Sequence, residues 1–167
     1  IAEKIVSFIK SQGDDISFYP IVAFGKHSSI PHHQAGKTKL KKDQIILLDF
    51  GVKFNNYCSD MTRTIFFGSA TTEFKRMYKT VLTAQEKAIQ YINSQLSMIN
   101  GKLLAKDIDK IAREYILKQG FPNIIHSVGH GIGIDVHEAP HISPNSNETI
   151  EDGMVFSIEP GIYIENY

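Results

Sequence analysis

The sequence predicts a single α+β domain, and three observations predict it. Strand-like and helix-like stretches alternate along the chain. The apolar residues of the helix-like stretches recur at spacings of three and four. From Asp49 to Thr64, apolar runs lie on both sides of Asn55-Asn56, a pair that tolerates the positive φ of a tight turn, so this stretch reads as an antiparallel hairpin. At 167 residues the chain can bury a real core without disulfides or a metal staple.

Composition narrows the function classes. Lys plus Arg equals Asp plus Glu, 18 each, and no bulk charge draws the chain to nucleic acid or to an anionic membrane. The single cysteine, Cys58, excludes an internal disulfide, and no stretch approaches the roughly 18 apolar residues a membrane helix needs. A reduced, cytoplasmic setting is expected. The first residue is Ile1 rather than Met and no signal-peptide pattern follows, so the chain reads as a piece of a longer protein.

In order, Ile1, Ile5, Phe8 and Ile9 share one face of a helix over 1–12, with Gly13 as its C-terminal glycine. Ser17 to Phe24 reads as a strand in which Pro20 marks an edge or a bulge. The histidines His27, His32 and His33 follow in a loop; from the residues alone they are metal ligands, proton shuttles or ordinary loop histidines. The basic run Lys37 to Lys42 reads as a solvated loop before a strand over Ile45 to Phe50.

In the hairpin, a two-residue loop at Asn55-Asn56 makes Phe54 face Tyr57 and Gly51 face Asp60. Asp49 then projects from the same face as Asp60. A turn one residue earlier opposes the two acids directly, and only a three-residue loop without a bulge would separate them. Neighbouring carboxylates repel unless a proton or cation lies between them, so the pair is a candidate metal site or acid/base dyad; two solvated acids on an exposed sheet face is the plainer reading.

Beyond the break at Gly68 to Thr72, a long helix places Phe74, Met77, Tyr78, Val81, Ala84, Ala88, Tyr91 and Ile92 on a core-facing stripe. A further helix over about 104–118 turns Leu104, Ile108, Ile111, Ala112 and Tyr115 inward and stops at Gly120, with Pro122 beyond. Strands are expected at Ile124 to Val128 and at Met154 to Ile164, and both helices are expected to pack over the sheet.

The run from His126 to Pro140 carries His126, His130 and His137 among glycines that let a backbone approach closely. Glu159 ends an apolar run directly before Pro160, which holds it extended.

Together, Asp49-Phe-Gly, Ser59-Asp-Met-Thr-Arg-Thr64, His126-Ser-Val-Gly-His-Gly-Ile-Gly133, Val136-His-Glu-Ala-Pro140 and Gly153-Met-Val-Phe-Ser-Ile-Glu-Pro-Gly161 resemble the metallopeptidases of the pita-bread (creatinase/aminopeptidase) fold. That family includes prolidase, aminopeptidase P and methionine aminopeptidase. The resemblance implies a curved antiparallel sheet covered by helices. It also implies that residues 1–167 are a partial catalytic domain, truncated at both ends, without a preceding N-terminal domain and without the C-terminal strand or strands.

In the family two aspartates, a histidine and two glutamates hold two divalent ions, so Asp49, Asp60, His130 and Glu159 look like four of five ligands. The fifth would lie in a Gly-x-Arg-x-Glu-Asp type segment that does not occur before Tyr167; Glu165 shares the parity of Glu159 but not the motif position. By resemblance His32, His126 and His137 contact substrate or the tetrahedral intermediate, and Glu159 also moves a proton. His33 stands where glycine is common in the family.

Ile-Glu-Pro-Gly-Ile-Tyr and Val-His-Glu-Ala-Pro look more like prolidase and aminopeptidase P than methionine aminopeptidase, which stays the alternative enzyme. The implied activity is cleavage of the bond before a proline at the second position of a peptide by hydroxide held on two ions, manganese first, cobalt or zinc otherwise. A homodimeric full-length protein, a poorly active fragment, and a non-catalytic peptide- or protein-binding module as a different functional class complete the expectations.

Overall fold

The computed structural model describes residues 1–96 and 102–165. The chain forms two compact units, one built mainly on Ile1–Thr71 with Ile132–Val136, the other on Thr72–Gly131 with His137–Ile162.

The first unit opens with helix α1, Ala2–Ser11, and Gly13 takes a φ of 88° where the chain leaves it. Its buried face is Ala2 and Ile9; Ile1 and Phe8, expected inside, are exposed. Two short strands replace the single one expected over 17–24: β1 is Asp15–Ile16 and β2 is Ile21–Phe24. Pro20 lies between them, outside either ladder, and β2 runs along the edge of its sheet. A 3-10 turn, Gly25–Ser29, begins the histidine loop.

The hairpin is built from β3, Gln44–Phe50, β4, Val52–Phe54, β5, Tyr57–Cys58, and β6, Met61–Phe67. Asn55 and Asn56 turn it at φ 49° and 68°, both in the left-handed region that asparagine tolerates. Its outer arms join β2 in one antiparallel sheet and its tip joins β1 in another. One register runs through both: Phe54 pairs with Tyr57, and Phe50 pairs with Met61. The two-residue loop expected from the sequence is therefore the one formed.

In the second unit, helices α2, Thr72–Leu96, and α3, Ala105–Lys118, pack together, and α3 also packs on strand β8. Phe74, Met77, Ala84 and Ala88 are buried as expected, while Tyr78 is half exposed and Thr80 takes an inward place. Thr80 can do so because its hydroxyl donates to the Arg76 carbonyl at 2.9 Å. Strands β7, Gly129–Gly131, and β8, Glu138–Ile142, pair antiparallel.

No strand forms over Ile124 to Val128, contrary to expectation: Arg113 takes the carbonyls of Ile124 and His126, while Val128, at the end of the stretch, bonds backbone through its N–H to Ile142 O at 2.9 Å. Arg113 donates through Nη1 to Ile124 O (2.5 Å) and Asn123 Oδ1 (3.0 Å) and through Nη2 to His126 O (3.0 Å). Asp109, fully buried, holds Arg113 with two hydrogen bonds of 2.7 and 2.8 Å and accepts Val128 N–H at 3.3 Å.

The strand expected over Met154 to Ile164 is likewise absent apart from one bridge, Phe156 to Gly131. An extended segment runs there instead, tied on by Ser157 N–H to His130 O (2.8 Å) and Glu159 N–H to Val128 O (2.7 Å). Gly129 permits the approach: a Cβ on it would sit 2.0 Å from Ser157 O.

Candidate functional site

Asp49 and Asp60 occupy the same face of the first unit's hairpin. Asp49 lies on the central strand β3 opposite Thr62, and the register places Asp60, two residues before Thr62, across from Gly51. Gly51 is needed there, since a Cβ on it would meet Ser59 O at 1.7 Å. Asp49 takes part in other interactions, but its buried Oδ1 accepts no hydrogen bond among the described residues.

In the second unit, His130 on β7 and Glu159 on the extended segment converge, with Nε2 3.0 Å from Oε1. The ring's other nitrogen narrows what that distance means. His130 Nδ1 is 3.0 Å from Gly131 O, and a carbonyl can only accept, so Nδ1 carries a proton; Nε2 then meets the Glu159 carboxylate as the N–H of an imidazolium or, on a neutral ring, as a lone pair. In the neutral case two acceptors at that separation need a cation between them. The pattern of a ring N–H given to a backbone carbonyl also matches the way metal-ligating histidines are oriented.

Ser157 completes this group: its hydroxyl donates to Glu159 Oε1 at 2.7 Å and accepts the His130 N–H at 3.0 Å. His137, exposed, stands edge-on to the His130 ring with 4.3 Å between centroids. His126 gives its Nδ1–H to Ser127 O at 2.6 Å, so its neutral ring presents a lone pair at Nε2 and donates from that atom only as imidazolium. The same His126 carries the carbonyl that Arg113 holds.

His32 is exposed in the first unit beside a stacked pair, His27 and His33, whose centroids are 4.6 Å apart. Burial, and then the neighbouring His27, push the His33 imidazole below its ordinary value of 6.5. In the second unit, Glu148 is held below the ordinary 4.5, first by the backbone N–H of His141 and then by Ser146 and the His141 ring.

Sequence reasoning assigned no role to Ser157 or to the Asp109–Arg113 pair. Both left a signal: Ser157 and Glu159 are two apart on an extended chain, hence on one side, and Asp109 and Arg113 are four apart on a helix, with an acid between the inward Ile108 and Ala112. The described residues include no helix long and apolar enough to cross a membrane.

The family model for Metallopeptidase family M24 matches residues 1–167. An uncharacterized peptidase of Staphylococcus haemolyticus is 40% identical over 168 residues, 99% of this chain and 46% of its own length. Among solved structures, a recombinant prolidase from Thermococcus sibiricus superposes with a TM-score of 0.89 at 42% identity, covering 99% of this chain and 44% of that one. An X-Pro aminopeptidase from Thermotoga maritima gives 0.88 at 35%, covering 98% and 45%. The chain thus spans less than half the length of these relatives.

Proposed function

Because this chain belongs to metallopeptidase family M24 and has its pita-bread fold, we propose that the protein is a metal-dependent peptidase that cleaves before a proline in the second position of a peptide. The share of its relatives' length that it spans supports reading it as part of a larger catalytic protein. The observation that carries the reading is His130 Nε2 standing 3.0 Å from Glu159 Oε1 while Nδ1 faces the Gly131 carbonyl, an arrangement suited to a shared cation. The similar prolidase and X-Pro aminopeptidase structures support the proline preference.

Asp49, Asp60, His130 and Glu159 would hold the divalent ions. Three carboxylates and one imidazole suit manganese, cobalt or zinc without selecting among them, and manganese comes first by the family resemblance. Metal bound by these residues would supply Lewis acidity, lowering the pKa of a bound water and polarising the scissile carbonyl. Glu159 then takes the proton from the attacking water and returns it to the leaving nitrogen. His126, its ring held by the bond from Nδ1 to Ser127 O, would contact the developing oxyanion or orient the peptide. His137 and His32, both exposed, orient the peptide.

The test is turnover of Gly-Pro and of a longer peptide with proline at the second position, by the full-length protein with and without manganese. Hydrolysis that chelation removes and manganese restores is the expected result. Equal hydrolysis of peptides lacking proline would sink the specificity.

A further inference from the structure

We propose that Ser157 is a positioning residue whose hydroxyl locks the Glu159 carboxylate to the main chain of His130. The inference rests on the metal-dependent reading above. A serine hydroxyl has one proton to give and lone pairs to receive with. Here the His130 N–H occupies a lone pair at 3.0 Å, and of the two acceptors within reach of the one proton, Glu159 Oε1 at 2.7 Å is far closer than His130 O at 3.4 Å. Ser157 N–H donates to His130 O at 2.8 Å, so the serine and the histidine are joined in both directions.

The local chain makes this geometry inevitable. Extended backbone puts Ser157 and Glu159 on one side, and Pro160 keeps Glu159 extended. Glu159 N–H is anchored on Val128 O at 2.7 Å, and the missing side chain of Gly129 lets the segment close in. A glutamate has three side-chain torsions to order; a fixed donor on one carboxylate oxygen orders them before a cation arrives, as outer-shell partners of metal ligands do. If the hydroxyl only satisfied the His130 amide, its loss would weaken the fold slightly and leave the carboxylate's affinity for a cation unchanged.

The full-length protein carrying Ser157→Ala, Ser157→Cys or Ser157→Thr tests this. Manganese affinity is measured by calorimetry, steady-state kinetics with Gly-Pro are split into kcat and KM, and folding is checked by circular dichroism. Ala, and Cys with its similar volume and weak donor, are expected to bind manganese about ten- to a hundredfold more weakly and to lose kcat with KM little changed. Thr, which restores the hydroxyl, is expected to return affinity to the wild-type value. A folded Ala or Cys variant that binds manganese as the wild type does overturns the inference and leaves the peptidase reading intact. Wild-type protein that neither binds manganese nor hydrolyses Gly-Pro overturns both.

Discussion

An added Cβ at Gly51 would sit 1.7 Å from a backbone oxygen of its own hairpin, Ser59 O, whereas one at Gly36 would meet nothing within 4 Å. Gly51→Ala is therefore expected to destabilise toward the upper end of the about 1–3 kcal/mol range for overpacking, because backbone cannot swing aside as a side chain can. Gly36→Ala is expected to change stability by less than about 0.5 kcal/mol, and urea unfolding of both variants makes the comparison. Asp60→Asn keeps the shape and removes a charge; it is expected to abolish peptidase activity of the full-length protein, and retention of a substantial fraction of wild-type turnover would remove Asp60 from the ligand set. Glu148 bears on stability instead. Its folded pKa is lowered, so the native state binds fewer protons than the unfolded chain. Its contribution is fully present above the unfolded value of 4.5 and is lost as pH falls through the lower folded value. Glu148→Gln should accordingly flatten the fall in unfolding free energy below pH 4.5, measured by denaturation at a series of pH values.

Between elements, the coupling that matters most for the second unit runs from α3 to the stretch holding His126 and His130. The Asp109 and Arg113 side chains are 1% and 13% exposed, so removing either partner strands the other away from water. Asp109→Ala is expected to cost about 3–5 kcal/mol, the usual penalty for breaking a buried pair from one side. Hydrogen exchange should locate the damage in the stretch from Ile124 to Val128, whose carbonyls Arg113 holds and whose Val128 amide lies 3.3 Å from Asp109 Oδ1 beside its bond to Ile142 O, before it spreads to α2. Uniform loss of protection across the unit would show that the pair holds the whole unit rather than this stretch. The hairpin is fixed by its two-asparagine turn and one register, and is braced from outside by Cys58 N–H donating to Gly133 O at 2.7 Å.

For the molecule as a whole, metal and completeness are the tests. Ligands that bind only the folded state raise its stability, so manganese is expected to raise the melting temperature of the full-length protein and a chelator to lower it. The same titration on residues 1–167 alone is expected to show weaker binding and little Gly-Pro turnover, since this chain spans 44% of the Thermococcus sibiricus prolidase and four ligands of the five implied by resemblance lie in it. Full activity of the isolated chain would overturn that expectation.

Much of this is legible in the sequence, for a local reason. Apolar spacing marks α1, α2 and α3, Asn55-Asn56 marks the turn, and the period of two along the strands puts Asp49 and Asp60 on one face by spacing alone. Those features depend on residues within a few positions of one another. What tertiary structure decided depends on partners far apart in the chain. Ile124 to Val128 has the composition of a strand, yet Arg113 takes the carbonyls of Ile124 and His126, and no ladder forms over it. The approach of His130 Nε2 to Glu159, and the Ser157 hydroxyl bonded to both the His130 amide and the Glu159 carboxylate, are likewise settled only when distant segments meet. Each backbone group and ring nitrogen must find a partner, and periodicity cannot say which one it will be.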